Sequence, residues 1–141
     1  MTLAILLSGC ASDVPKLHAS DASYSLSPHL ACTLPSNCAN SLGTGNLLPL
    51  RYTGPPAQAM AMLRETLKTF PEAKVVRSEE LALEVIFTTP AGFRDQVDFR
   101  IDAATQRIGF RSRSLFGLFD WGKNRSRMRE FATRFEQQSE R

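Results

Sequence analysis

Between residues 81 and 111, apolar side chains recur at every second position through three successive runs. Leu81, Leu83, Val85 and Phe87 alternate with Ala82, Glu84, Ile86 and Thr88. Val97, Phe99 and Ile101 alternate with Gln96, Asp98, Arg100 and Asp102, and Ile108 and Phe110 alternate with Arg107, Gly109 and Arg111. Successive side chains of a strand point to opposite faces, so this period buries one face and leaves the other wet or lightly covered, as in an antiparallel sheet. Thr89-Pro90-Ala91-Gly92 and Ala103-Ala104-Thr105 are the turns. A short run, Lys74–Arg77, predicts a further strand before them.

Helical patterns flank the alternating block. Thr53-Gly54-Pro55-Pro56 opens one helix, because the missing N–H of proline costs nothing in a first turn. Met60, Leu63, Leu67 and Phe70 then form one apolar stripe, which Pro71 ends. The last helix is expected to start near Asn124 or Ser126, both good N-caps, with Met128, Phe131, Ala132 and Phe135 as its stripe. The expected class is α+β: an antiparallel sheet of about four strands with two helices packed on one face. A chain of 141 residues, 43% of them hydrophobic, is one domain's worth with a real core, which rules out a two-domain enzyme. No apolar run reaches the roughly 18 residues of a membrane span.

The N-terminal stretch has a different character. Met1 to Cys10 is apolar, then small, then cysteine, and Leu7-Ser8-Gly9-Cys10 resembles the bacterial lipobox. In that motif a small residue before Cys admits the signal peptidase and the thiol receives the lipid. A leader opens on Lys or Arg, which this stretch lacks, so the true start is open to placement upstream of Met1. Residues 11–30 are rich in Ser and Ala, contain Pro15 and Pro28, and show no period. Such a segment buries too little apolar area to offset its ordering entropy, and as a coil it reaches roughly 25 Å. The expected organisation is a cleaved signal peptide at 1–9, a lipid-anchored tether at 10–30 and a single domain at 31–141. Its expected place is the periplasmic side of a bacterial membrane. Ala11 after the lipidated Cys10 favours the outer membrane, although Asp13 falls where some bacteria read a retention signal.

With Cys10 acylated, Cys32 and Cys38 are left, and an even pair in an oxidising compartment suggests a disulfide. Pro35 and Asn37 between them are turn formers. A redox pair, a metal site and free thiols are the alternatives. The spacing is not CxxC, and the only histidines, His18 and His29, lie in the tether. No metal and no cofactor are expected.

The net charge of +3 is unevenly placed: 8 Lys and Arg stand against 10 Asp and Glu up to residue 104, then 9 against 4. Arg111 and Arg113 project from one strand face. Lys123, Arg125, Arg127 and Arg129 crowd the first turns of the last helix, where cations oppose the positive end of the helix dipole. Something negative is needed. Either internal carboxylates (Asp120, Asp95, Asp98) supply it, or an external anion does, held by guanidinium forks and free helix N–H groups. The candidate anion- or partner-binding set is Arg111, Arg113, Lys123, Arg125 and Arg127. Leu115, Phe116, Leu118, Phe119 and Trp121 fall in the same segment. They either cap the core or form an aromatic patch suited to a membrane interface or partner groove. Nucleic acid is not an expected partner, since no binding motif for it is present.

The pattern Arg111-Ser112-x-Ser114-x-x-Gly117-x-x-Asp120-Trp121-Gly122-x-Asn124-x-x-Arg127 resembles the C-terminal signature of the family called domain of unknown function 1499. Cys32-x-x-Pro35-x-Asn37-Cys38-x-x-Ser41 resembles its N-terminal signature, and Phe93-x-Asp95-x-Val97 its central motif. The resemblance covers about residues 31–136. Thr33 stands where the family often has Pro, and Gln96 where a second Asp is common. Leu115 and Phe116 are more apolar than usual. The resemblance implies a bacterial protein, often with a lipoprotein or membrane signal, and no known activity.

Catalysis recruits His, Cys, Lys or a tuned carboxylate, and the folded domain offers no His, no nucleophile elbow and no phosphate loop. No catalytic residue is assigned. Gly117, Asp120, Trp121, Gly122 and Asn124 read as a rigid loop: Asp120 accepts from its own turn and Asn124 caps the helix. The expected function is non-enzymatic binding of an anionic envelope component or partner protein through segment 111–127, with the four guanidiniums of Arg111, Arg113, Arg125 and Arg127 converging on an open concavity. The alternative is a hydrolase or transferase with Asp95 or Asp120 as base, which needs that carboxylate in a deep pocket.

Overall fold

A computed structural model describes residues 29–141. The expected signal peptide, Cys10 and most of the tether lie outside the described residues. The elements run β1 (Cys38–Asn40), β2 (Leu50–Arg51), α1 (Pro56–Leu67), β3 (Ala73–Ser78), β4 (Ala82–Thr88), β5 (Arg94–Asp102), β6 (Arg107–Ser114) and α2 (Lys123–Ser139). All pairings are antiparallel, in the order β1-β6-β5-β4-β3, and β2 also pairs with β6. The class is the expected α+β, with a six-stranded sheet where the alternation predicted about four strands. The two extra strands hold three and two residues, too few for a period to show.

One buried cluster joins the helices to the sheet. Leu63 and Leu67 of α1 and Met128, Phe131 and Phe135 of α2 pack with Leu83, Val85, Phe87, Val97, Phe99, Ile101, Ile108 and Phe110. Phe131 is its centre, with ring centroids 4.9 Å from Phe99, 5.7 Å from Phe70 and 6.4 Å from Phe135. Fully burying each such ring contributes about 1.5–3 kcal/mol. Pro56 opens α1 as expected, but the helix ends at Leu67, and Phe70 enters the core from the turn beyond it. Helix α2 starts at Lys123, with Gly122 in the left-handed region as its N-cap, so Asn124 lies inside the first turn.

The regular pleat of β5 sorts its acidic residues. Asp95 shares parity with Val97 and Phe99 and lies on the helix face; Asp98 lies on the other. That outer face is lightly covered at one end. Asn40 Nδ2 donates to the Leu30 carbonyl at 2.8 Å, and an Arg111 guanidinium N–H donates to the Ala31 carbonyl at 3.0 Å. Leu30 is fully buried. Cys32 and Cys38 form the expected disulfide, with Cα atoms 5.7 Å apart, fastening this segment to β1.

Constraining a loop this short stabilises the fold by about 2 kcal/mol in the chain-entropy model. Urea titration of the Cys32→Ser/Cys38→Ser variant is expected to show that loss with the fold retained.

Candidate functional site

The segment from Ser114 to α2 is organised by one carboxylate and one amide. Asp120 Oδ1 accepts from the Gly122 N–H at 2.9 Å. Its Oδ2 accepts from the Asn124 N–H at 3.1 Å and from Asn124 Nδ2 at 2.7 Å. The Asp120 carbonyl accepts from the Lys123 N–H at 3.0 Å. Of the two sources of negative charge the sequence left open, the internal carboxylate thus serves the Gly122 and Asn124 N–H groups at the start of the helix. Asp120, rather than Asn124, caps the helix.

Asn124 is fully buried and links four parts of the chain. Its Nδ2 also reaches the Asn37 carbonyl and Ser114 Oγ, each at 3.1 Å. Its Oδ1 accepts from Ser112 Oγ at 2.7 Å and from Arg127 at 3.0 Å. Arg127 completes the cluster with a 2.6 Å ion pair to Asp95. The two side chains are only 9% and 3% exposed, and the guanidinium lies 4.9 Å from the centroid of the Phe87 ring. Residues of the N-terminal, central and C-terminal motifs therefore meet in one hydrogen-bonded network.

The same network pins the loop that follows β6. Asn37 Nδ2 donates to the Gly117 carbonyl at 2.7 Å, the Asp120 N–H donates to the Ser36 carbonyl at 3.0 Å, and Ser36 Oγ donates to the Leu118 carbonyl. Gly117 and Gly122 have φ of 89° and 77°, and Trp121 has 55°. For a non-glycine residue this costs about 1–2 kcal/mol, which the Asp120 turn around it offsets.

The five candidate cations do not converge. The sheet separates them, because Arg111 and Arg113 stand on its outer face and Arg127 on the helix face. Arg111 is paired with Asp98, Nη2 to Oδ2 at 2.8 Å. Arg113 donates to Gln96 Oε1 at 3.2 Å, and Gln96 Nε2 donates to Asp98 Oδ1 at 2.9 Å. Gln96 thus bridges an arginine and an aspartate, a task a second aspartate could not perform with both hydrogen-bond senses. Lys123 and Arg125 are exposed. Arg125 lies along Gly45, where an added Cβ would be 2.3 Å from its Nε.

The aromatic residues do not cap the core. Leu115, Phe116, Leu118, Phe119 and Trp121 are all exposed, Phe116 at 77% and Trp121 at 94%. Phe93, read from the sequence only as part of the central motif, joins them: it is 52% exposed and stacks on Phe116 at 6.3 Å. No periodicity marks Phe93 for this, since it lies just outside β5. Beside the loop, Pro35, Ser36, Cys38, Ala39, Phe119 and Trp121 help to wall a hollow of about 330 Å³ that Arg125 also lines.

A base is hard to find here. Asp95 is sealed against Arg127, and both oxygens of Asp120 are engaged by its own turn. Neither carboxylate stands free in a deep pocket as the hydrolase reading requires. Among the described residues, no group of three His, Cys, Asp or Glu side chains could hold a metal ion.

Removing one partner of a buried ion pair costs about 3–5 kcal/mol, because the other charge is left uncompensated. Arg127→Met is expected to lower urea stability by that amount, and Asp95→Leu/Arg127→Met to recover most of it.

The family model described as protein of unknown function (DUF1499) matches residues 7–135. No curated protein and no solved structure matches the chain. The matched span begins well before the Cys32 motif and contains every residue of the buried network. The chain therefore belongs to the DUF1499 family of proteins of unknown function.

Proposed function

We propose that this protein is a lipid-anchored cell-envelope component without catalytic activity. In this reading its exposed aromatic loop docks on an anionic constituent of the envelope. The observation that carries it is the exposure of Leu115, Phe116, Leu118, Phe119 and Trp121 on a loop whose backbone is fastened from below. Exposed apolar side chains gathered on a fastened loop suit a docking surface, since exposing them to water has no compensating gain within the domain. The cations beside it are Lys123, Arg125 and Arg94, all exposed. Arg111 and Arg127, two of the candidate anion ligands read from the sequence, are instead paired with Asp98 and Asp95. The lipobox-like Leu7-Ser8-Gly9-Cys10 supports attachment through Cys10 on the periplasmic side, with Ala11 favouring the outer membrane.

Two readouts test the reading. Cells fed a labelled fatty acid are expected to label the wild-type protein and not Cys10→Ser. The purified full-length Cys10→Ser protein is expected to sediment with vesicles of total envelope extract, and Phe116→Ser/Phe119→Ser in that background to stay in solution. Equal sedimentation of the two contradicts docking through the loop.

A further inference from the structure

We propose that the anionic constituent is the phospholipid surface itself: the 115–121 loop beds into the headgroup layer, and the hollow beside it receives one phosphate ester. This rests on the docking reading above and names its partner.

Three features favour a bilayer surface. First, the loop is amphipathic in the way an interface requires. Phe116, Leu118, Phe119 and Trp121 are its most exposed side chains, and exposed Lys123, Arg125 and Arg94 flank it. Aromatic side chains with neighbouring cations suit the boundary between headgroups and acyl chains, where burial is about 5–10 Å deep. Second, the loop is fastened to the domain at four backbone points. The Gly117 and Leu118 carbonyls accept from Asn37 and Ser36, the Leu115 N–H donates to the Arg94 carbonyl, and the Asp120 N–H donates to Ser36. A loop held in place this way meets a surface without the entropy cost of being ordered on contact. Third, Cys32 is bonded to Cys38, which adjoins the residue that holds Gly117. With Cys10 lipidated as proposed above, the anchor holds the domain at a membrane, and the second contact, through the loop, is intramolecular.

The hollow has the matching charge. Among the described residues Asp120 is the only carboxylate lining it, and both its oxygens are occupied by Gly122 and Asn124. Arg125 is the cation lining it, and among the described residues no carboxylate is bridged to it. A guanidinium is suited to a phosphate ester, which it binds through two parallel hydrogen bonds. Phe119 and Trp121 wall the same space, so insertion of the loop brings the hollow to headgroup depth.

Trp121 is the only tryptophan of the chain, so its emission reports this site alone. The full-length Cys10→Ser protein is titrated with phosphatidylglycerol vesicles, phosphatidylcholine vesicles and soluble glycerol 3-phosphate. The anionic vesicles are expected to shift Trp121 emission to the blue, and the zwitterionic ones to do so at least tenfold more weakly. Glycerol 3-phosphate is expected to alter the intensity without that shift, which separates the phosphate from the bilayer. Arg125→Gln is expected to weaken binding to phosphatidylglycerol about tenfold. Because Arg125 also packs on Gly45, the wild-type protein supplies an independent check: raising the salt about tenfold must weaken its binding to anionic vesicles. No blue shift with phosphatidylglycerol overturns the inference, as does a shift insensitive to lipid charge and salt. If the shift is absent while sedimentation with total envelope extract persists, only this inference fails. If both are absent, the docking reading fails with it.

Discussion

Asn124 is buried at the point where the turn before β1, strand β6, the Asp120 turn and helix α2 come together, and its amide group is bonded to Asn37, Ser112, Ser114, Asp120 and Arg127. A buried amide with its capacity filled is nearly neutral, whereas one left unpaired costs about 1–3 kcal/mol. The arrangement is therefore all-or-nothing: each neighbour holds the others in place. Arg127 extends it to Asp95 and so ties the helix to the opposite end of the cluster on β5. An apolar replacement of such a pair is often as stable. What the polar version supplies here is directionality, which fixes where the Asp120 turn and the loop above it sit.

That geometry explains how a loop can carry five exposed apolar side chains and still be ordered. The core needs none of them, because Phe87, Phe99, Phe110, Phe131 and Phe135 already fill it. The loop's position is set from beneath by Ser36 and Asn37, and the disulfide in turn fixes the segment that carries those two residues. Binding through a pre-ordered loop avoids the entropy of ordering it on contact.

Much of the fold was legible because period-two alternation is a local signal. β4, β5 and β6 could be read from Leu83, Val97 and Phe110 and their neighbours, whereas β1 and β2 are too short to carry a period. The site was legible in parts. Asp95 and Asp98 are three apart on one strand and so must face opposite ways, which already divides their arginine partners between two faces. The partners themselves depend on how α2 lies across the sheet, and no spacing reveals that. Asn124 has the chemistry of an N-cap, and only the left-handed Gly122 before it moves the helix start upstream. Whether Phe116, Phe119 and Trp121 face inward or outward is a question of core volume, which residue types alone do not answer.

The central claim is that the buried network orders the aromatic loop. Amide hydrogen exchange in Asn124→Ala measures this most directly, because the Asp120, Gly122 and Asn124 N–H groups each have a named acceptor. The account predicts that these amides lose roughly a hundredfold of protection while those of Val97 and Phe99 in β5 keep theirs, a local opening with the core intact. Unchanged protection at the three loop amides would contradict it.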